Sequence, residues 1–409
     1  MELLLIHQNY PGQFRYLAPA LGRLGHNVSA LGASPAKPAQ RASHLQYPWS
    51  TPSLPADLVD PALETSLLRG ERVAEHCLRL RDQGYVPAAI LVHSGWGEAL
   101  YLRDVWPRAR LLIYPELYAS PRLLGYGFDA DLGTPPFALQ GQWRRRNLMN
   151  LAAIADADAA VVPTLFQRDT FPPHLRSRFH VIHEGVDLDQ LRPNPACRLQ
   201  IRSGLVLRRG DPVITFTSRY LEPLRGFRTF MRCLPALMAS HPTLQVLVVG
   251  STASGYGAVS AHPQGYKGEM LALLGDQLPL DRLHFLGRLS LEELHSLFQI
   301  TAAHVHLTYP YALSWSLIEA MACGALIVGS DNAPLNEVLH HGHNGLLVPF
   351  NDPEALGSWL SAILRQPEAF APMAREARRT VETRYNLSAA AAAYDTLLRS
   401  LVALPSDQA

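Results

Sequence analysis

His306-Leu-Thr-Tyr-Pro-Tyr-Ala-Leu-Ser-Trp-Ser-Leu-Ile-Glu-Ala-Met-Ala-Cys-Gly324, followed at once by Ala325-Leu-Ile-Val328, reads as strand end, loop, helix, stop and next strand. The apolar run Ala303–Leu307 leads into it, Tyr309-Pro310 breaks that run, and Ser314 or Ser316 stands where a helix cap belongs. Inside the helix, Glu319 is flanked by Leu317, Ile318, Ala320, Met321, Ala322 and Cys323. A helix apolar nearly all round is expected to be buried, where an unpaired carboxylate is costly. Glu319 must therefore be held by protein donors or by the hydroxyls of a ligand.

The same strand–helix–strand grammar extends in both directions. Val213–Thr217, Gln245–Val249, His284–Leu286, Ala303–Leu307 and Ala325–Val328 read as strands of one half; Leu3–Ile6, Ala88–Val92, Leu111–Tyr114 and Ala159–Val162 read as strands of the other. Phe14, Leu17, Leu21 and Leu24 fall at helical spacing after the first strand. Alternating β and α elements predict an α/β fold of two Rossmann-like, doubly wound domains facing a cleft. The seam is expected near Val186–Pro195, where two prolines and a polar cluster interrupt the pattern, which gives domains 1–190 and 191–385. The tail Ala389–Ala403 is an alanine-rich helix whose Tyr394, Leu397, Leu398 and Leu401 need a docking surface.

Composition narrows the chemistry. The chain has 409 residues and a net charge of +1, which argues for two domains and gives no electrostatic reason for a nucleic-acid partner. Lys37 and Lys267 are the only lysines among 36 basic residues, as in proteins of GC-rich genomes. Met1–Ile6 lacks the basic region and cleavage site of a signal peptide, and no window reaches the roughly 18 apolar residues of a membrane span. Cys77, Cys197, Cys233 and Cys323 are scattered without metal-ligand spacing. The expectation is a cytoplasmic protein with no metal and no cofactor.

In open α/β sheets ligands bind beyond the carboxyl ends of strands, which selects the loops to inspect. His7-Gln-Asn-Tyr-Pro-Gly12-Gln13 follows the first strand: Pro11-Gly12 turns the chain, and His7, Asn9 and Gln13 surround the turn. His93-Ser-Gly-Trp96-Gly-Glu98 follows another strand, and Glu116 ends the next. Ser218-Arg219-Tyr-Leu-Glu-Pro-Leu-Arg225-Gly226 places two permanent cations in one strand-to-helix loop, as phosphate recognition requires. Gly250–Gly257 is polar and glycine-rich but matches neither the dinucleotide fingerprint nor a phosphate loop. An anion-binding helix start, two arginines and a buried carboxylate together describe a site for a nucleoside diphosphate whose ribose Glu319 holds.

Four pieces, in this order, resemble glycosyltransferase family 4, a group of retaining enzymes with the GT-B fold. They are Val181-Ile-His-Glu-Gly-Val-Asp187, the Arg219–Arg225 loop, Phe285-Leu-Gly-Arg288, and Ser314–Gly324 with Ala325–Asp331 and Glu337-Val-Leu behind it. The resemblance covers nearly the whole chain. It implies that Glu319 holds the donor ribose, that Arg219 and Arg225 grip the diphosphate, and that Gly12, Tyr311, Ser314 and Arg288 belong to the donor side. It implies that His93 contacts the transferred sugar; His7, Asn9, Gln13, Trp96 and Glu116, on the loops of the first domain, are expected to form the acceptor side. It also implies that the tail helix, 386–409, crosses back to the first domain. The family's first motif glutamate falls on Tyr311, which carries no charge at neutral pH. Arg225 stands six residues past Arg219, where many relatives have lysine at five, and Ala312 and Ser314 replace glycines usual in that loop.

The expected function is transfer of a sugar, a hexose in the first instance, from a nucleotide-diphosphate donor to a glycan, lipid or small-molecule acceptor, without metal and with retention. The rival is a catalytically weak nucleotide-sugar-binding or partner protein of the same fold; an epimerase is a third reading. Gln142-Trp-Arg-Arg-Arg146 marks a place for peripheral membrane contact.

Overall fold

The computed structural model describes residues 1–35, 43–253, 255, 257 and 259–405; Lys37, Ser254, Tyr256 and residues 406–409 lie outside them. The chain divides into two units. Unit 1 comprises Met1–Ser120, Pro135–Gly185 and Tyr385–Ala409, and unit 2 comprises Pro121–Thr134 and Val186–Arg384.

Unit 1 is built on a seven-stranded parallel sheet of β1 (Glu2–Ile6), β2 (Asn27–Gly32), β3 (Ser43–Gln46), β4 (Ala89–His93), β5 (Arg110–Tyr114), β6 (Ala159–Val162) and β7 (Phe179–Val181). The spatial order is β3-β2-β1-β4-β5-β6-β7. Beyond the first residues of β1 and β5 its central strands are fully buried because a parallel sheet is covered on both faces, which is why they read as apolar runs. The order reverses between β1 and β4, so the loops after these two strands meet at the topological switch point.

The tail helix Leu387–Ala403 belongs to unit 1. Asn386 caps it, accepting the Ser388 and Ala389 N–H groups, and Tyr394, Leu397, Leu398 and Leu401 are buried. The Tyr394 hydroxyl donates to the Ile182 carbonyl at 3.3 Å, and Asp395 meets the buried His26 at 2.7 Å. Gly185, at φ +75°, lets the helix in: a Cβ there would lie 2.6 Å from the Leu387 Cα.

Unit 2 opens with a small antiparallel hairpin of β8 (Arg198–Gln200) and β9 (Val206–Arg208). Its main sheet contains β10 (Val213–Tyr220), β11 (Gln245–Ser251), β12 (Leu283–Gly287), β13 (Ala303–His306), β14 (Ile327–Ser330) and β15 (Leu346–Val348), all parallel, in the order β12-β11-β10-β13-β14-β15. The reversal here lies between β10 and β13, so the Arg219–Arg225 loop and the Tyr309–Ser314 loop share a switch point.

One segment departs from the sequence expectation of an uninterrupted domain over 1–190. Pro121–Thr134 leaves unit 1 and packs in unit 2, so the chain passes between units after Ser120, Thr134, Gly185 and Arg384. Leu124, Phe128 and Leu132 pack against the unit 2 core, and Asp131 lies 3.7 Å from Arg228 and 3.5 Å from Arg232. Apolar burial and paired charges outweigh adjacency in sequence. Among the described residues no helix is long and apolar enough to cross a membrane.

Candidate active site

In unit 2, Arg225 is built into the loop that follows β13. Its Nη1 donates to Thr308 Oγ1 at 2.8 Å, both terminal nitrogens lie 3.4 Å from the Ala312 carbonyl, and the guanidinium stands 5.5 Å from the Tyr311 ring centroid. Thr308 is itself fixed, donating its N–H to Ser330 Oγ at 3.0 Å while its carbonyl accepts from Asn332 at 2.8 Å. Backbone and hydroxyl partners thus hold the guanidinium at the switch point. Arg219 is exposed at the end of β10, its guanidinium 5.6 Å from the Tyr220 ring. The structure brings Arg225, Tyr311 and Ala312 together, and Arg219 lies beside Tyr220 of its own strand.

Ser314 occupies the N-cap position of the Trp315–Ala322 helix, but neither it nor Ser316 caps that helix through its side chain. The two hydroxyls bond each other at 2.8 Å instead. This corrects the sequence expectation: two serines spaced two apart satisfy one another, and the first turn of the helix keeps no side-chain cap. Glu319 lies in the following turn, 2 % exposed and surrounded by the apolar neighbours read from the sequence. Gly324 stops the helix at φ +81°, where any Cβ would press on the Pro193 ring at 2.9 Å.

Beneath Arg225, two histidines lie in the sheet. His304 sits between Thr215 Oγ1 at 3.0 Å and Thr217 Oγ1 at 3.4 Å, and burial pushes its pKa down to about 3. His306 is held well below the usual imidazole range by burial first, then by His304 and the Arg225 charge.

A cavity of about 310 Å³ opens beyond the ends of β11 and β12, lined by Leu221, Ser251, Thr252, Lys267, Phe285 and Arg288 among others. The Lys267 ammonium lies 4.4 Å from the Phe285 ring centroid. Of the sequence candidates only Arg288 lines this cavity. Lys267 was legible only as one of two lysines in the chain, with no motif around it.

In unit 1, the β1 and β4 loops form a second polar group. His7 Nδ1 accepts the Asn9 N–H at 2.9 Å, which leaves the ring proton on Nε2, 2.6 Å from Gln13 Oε1. Gly12, at φ +44°, passes under this ring, where an added Cβ would lie 2.4 Å from Nε2, so only glycine fits the turn. Gln13 Nε2 donates to Glu116 Oε1 at 3.5 Å, and Glu116 Oε2 is 3.6 Å from His93 Nε2. The His93 ring is 2 % exposed, stacked on Tyr114 and 4.9 Å from the His7 ring. Six candidates, His7, Asn9, Gly12, Gln13, His93 and Glu116, are therefore contiguous. Trp96 lies instead under Arg146, 5.5 Å from its guanidinium.

Sequence reasoning missed what backs these loops. Arg69, on the Pro61–Asp82 helix, bonds Gln8 and lies 3.8 Å from the Glu98 carboxylate and 4.6 Å from the Trp49 ring. Burial raises the pKa of Glu98, with Arg69 opposing it. Arg69 thereby ties the loop after β1 to the loop after β4; a lone arginine in a helix carried no signal of this.

Comparison with known proteins places these features in a family. D-inositol 3-phosphate glycosyltransferase of Rhodococcus jostii is 27 % identical over 242 residues, 58 % of this chain and 51 % of the relative. Its counterpart in Mycobacterium avium is 33 % identical over 205 residues, 49 % of this chain and 44 % of the relative. The chain thus spans about half the length of the curated relatives it matches. Sucrose-phosphate synthase from Thermosynechococcus elongatus shares the fold, with a TM-score of 0.74 at 20 % identity over 98 % of this chain and 99 % of that one. So does HepE of Anabaena, solved with UDP and glucose, with a TM-score of 0.70 at 15 % identity over 98 % of this chain and 100 % of that one. Residues 24–191 match the model described as glycosyl transferase family 4 group. Residues 198–380 match the one described as glycosyl transferases group 1. With two Rossmann-like sheets of GT-B type and both models matched in chain order, the protein belongs to glycosyltransferase family 4.

Proposed function

We propose that this chain is a retaining, metal-independent glycosyltransferase that moves a sugar, a hexose in the first instance, from a nucleoside diphosphate to a hydroxyl of a glycan, lipid or small-molecule acceptor. The observation that carries the reading is Arg225, held by Thr308 and Ala312 at the switch point of unit 2 beside the uncapped start of the Glu319 helix. Guanidinium and helix N–H groups preorganised at one spot stabilise charge that grows on a leaving diphosphate, so the site needs no metal to do so. Glu319 accepts the ribose hydroxyls, and the Lys267–Arg288 cavity takes the base. HepE was solved with UDP, which makes UDP the first nucleotide to try. Arg219 screens the diphosphate from the exposed side.

In the step itself the glycosidic C–O bond to the diphosphate breaks as the acceptor oxygen bonds the same face of the anomeric carbon. The departing phosphate oxygen takes the acceptor proton. The His7–Gln13 and His93–Glu116 group orients hydroxyls, and His93 need not act as the base.

The test is calorimetric titration with UDP, GDP and ADP, paired with an acceptor-free assay of donor hydrolysis. Binding with hydrolysis, or with transfer to any offered acceptor, supports the enzyme. Binding with neither favours the rival, a nucleotide-sugar-binding protein, for which the uncharged Tyr311 in place of a motif glutamate is the specific observation. Isomerisation of the donor sugar without an acceptor points to an epimerase. In the same titration Glu319→Ala is expected to weaken nucleoside diphosphate binding about tenfold or more, roughly the 1.4 kcal/mol of one lost charge-assisted contact. Unchanged affinity removes Glu319 from the site.

Peripheral membrane contact has its place on the Phe137–Asp156 helix, where Phe137 is 87 % exposed and Arg144 and Arg146 face solvent. Sedimentation with vesicles containing anionic lipid is then expected to fall on Phe137→Asp, and equal sedimentation of both proteins discards the contact.

A further inference from the structure

Asp129 arises in the N-terminal half of the sequence, yet its carboxylate is spent on unit 2. The residue is 6 % exposed; Oδ2 accepts the hydroxyl proton of Tyr309, itself 2 % exposed, and Oδ1 accepts the Asp131 N–H at 3.0 Å. Both oxygens are satisfied, so the carboxylate is locked in orientation. The surrounding segment is shaped to the same tyrosine. Gly125, at φ +94°, passes so close under the Tyr309 ring that a Cβ would lie 2.4 Å from Cε2, and Phe128 meets the ring edge-on at 5.8 Å.

Tyr309 in turn touches both loops of the switch point. Its N–H donates to the Leu224 carbonyl at 2.8 Å, one residue before Arg225, and Tyr311 follows two residues later with its ring beside the Arg225 guanidinium. Arg225 has anchors of its own in Thr308 and Ala312. Tyr311 is half-buried, packs against the unit 2 core of which Tyr309 is a member, and follows Tyr309 by two residues. A group attached to a phosphate held at Arg225 lies next to that ring.

We propose that Asp129 is a positioning residue for the sugar end of the donor site, acting through Tyr309 on Tyr311. The inference rests on the nucleotide-sugar reading above and adds to it that a segment from the first half of the chain sets how the donor sugar is held. The consequence is a split. Loss of Asp129 should weaken binding of a nucleotide sugar while sparing the bare nucleoside diphosphate, whose phosphates depend on Arg225.

The experiment compares UDP with UDP-glucose by calorimetry, with the GDP and ADP pairs in parallel, on the full chain and on Asp129→Ala, Asp129→Asn and Tyr309→Phe. Asparagine keeps an acceptor oxygen for the tyrosine hydroxyl. The expected result is a fivefold to tenfold loss of affinity for the nucleotide sugar in Asp129→Ala and Tyr309→Phe, with affinity for the nucleoside diphosphate within twofold and recovery in Asp129→Asn. Melting curves identify any variant that does not fold, and Tyr309→Phe, which leaves the packing of the ring in place, carries the test if Asp129→Ala fails. Equal losses for both ligands, or no loss for either, overturn the inference while leaving the nucleotide-sugar reading intact. Failure of the unaltered chain to bind any of the nucleotides overturns both.

Discussion

Arg225→Ala is expected to reduce kcat/KM for transfer tenfold to a hundredfold with the fold intact. Removing a hydrogen-bonding cation from a developing phosphate charge costs about 1.5–3 kcal/mol. The structure separates this effect from a folding defect. The guanidinium is only half-buried, and its partners, Thr308 Oγ1 and the Ala312 carbonyl, lie on a loop held independently by Ser330, Asn332 and the Tyr309–Leu224 bond. Arg225→Lys is the informative companion: it keeps the charge but cannot reach Thr308 and a diphosphate at once with a planar fork, so it should recover part of the rate. A rate within about twofold of the unaltered enzyme in Arg225→Ala, at unchanged melting temperature, removes the phosphate from Arg225 and with it the donor half of the proposal.

What could be read from the sequence follows how each element is buried. The central strands of both sheets are covered on two faces and announce themselves as apolar runs. β2 escaped notice although it is buried, because its sequence, Asn-Val-Ser-Ala-Leu-Gly, uses small residues. A Cβ on Gly32 would stand 2.8 Å from the Tyr10 Cβ, so close packing there excludes the large side chains that mark a strand. β3 and β7 lie at sheet edges, β3 with both end residues exposed and β7 with its last two, and neither carries an apolar run. The site was legible where one loop supplies it, as in His7–Gln13 or Ser218–Gly226. It was not legible where distant segments do. Pro121–Thr134 has the prolines and glycines of an ordinary surface loop, and only its partners, Tyr309, Arg228 and Arg232, reveal its place. Spacing arguments cannot find a contact between residues 180 positions apart in the chain.

Both units are expected to lose stability between pH 6.5 and pH 5, before the ion-paired Asp60 and Asp158 titrate. Burial holds His183, in unit 1, and His304, in unit 2, at pKa values of about 3, against an ordinary value of 6.5. Above pH 6.5 each is neutral whether the chain is folded or not. As the pH falls the unfolded chain takes up a proton that the folded chain refuses, so stability is lost, by about 2 kcal/mol per histidine at pH 5. His306 acts in the same direction. The environment of each ring explains the refusal. His183 Nδ1 already accepts the Gly185 N–H at 2.9 Å, and Glu184, 3.8 Å away, is engaged by the Tyr114 hydroxyl and does not offset burial. His304 has hydroxyls, another imidazole and the apolar Phe298 ring around it. Acidic groups contribute in a different window. Asp60 is kept below its ordinary value, against the push of burial, by Arg145 and the Leu63 N–H. Asp158 is kept low, likewise against burial, by the Leu111 N–H, Arg103 and Arg110. Their stabilisation is lost only below about pH 4. Scanning calorimetry at pH 7.5, 6 and 5 should therefore show a fall of roughly 4–8 °C for each unit by pH 5. His304→Gln should flatten the slope of unit 2 alone, and His183→Gln that of unit 1 alone. Melting temperatures that do not move between pH 7.5 and 5 would mean that neither imidazole is held neutral by burial.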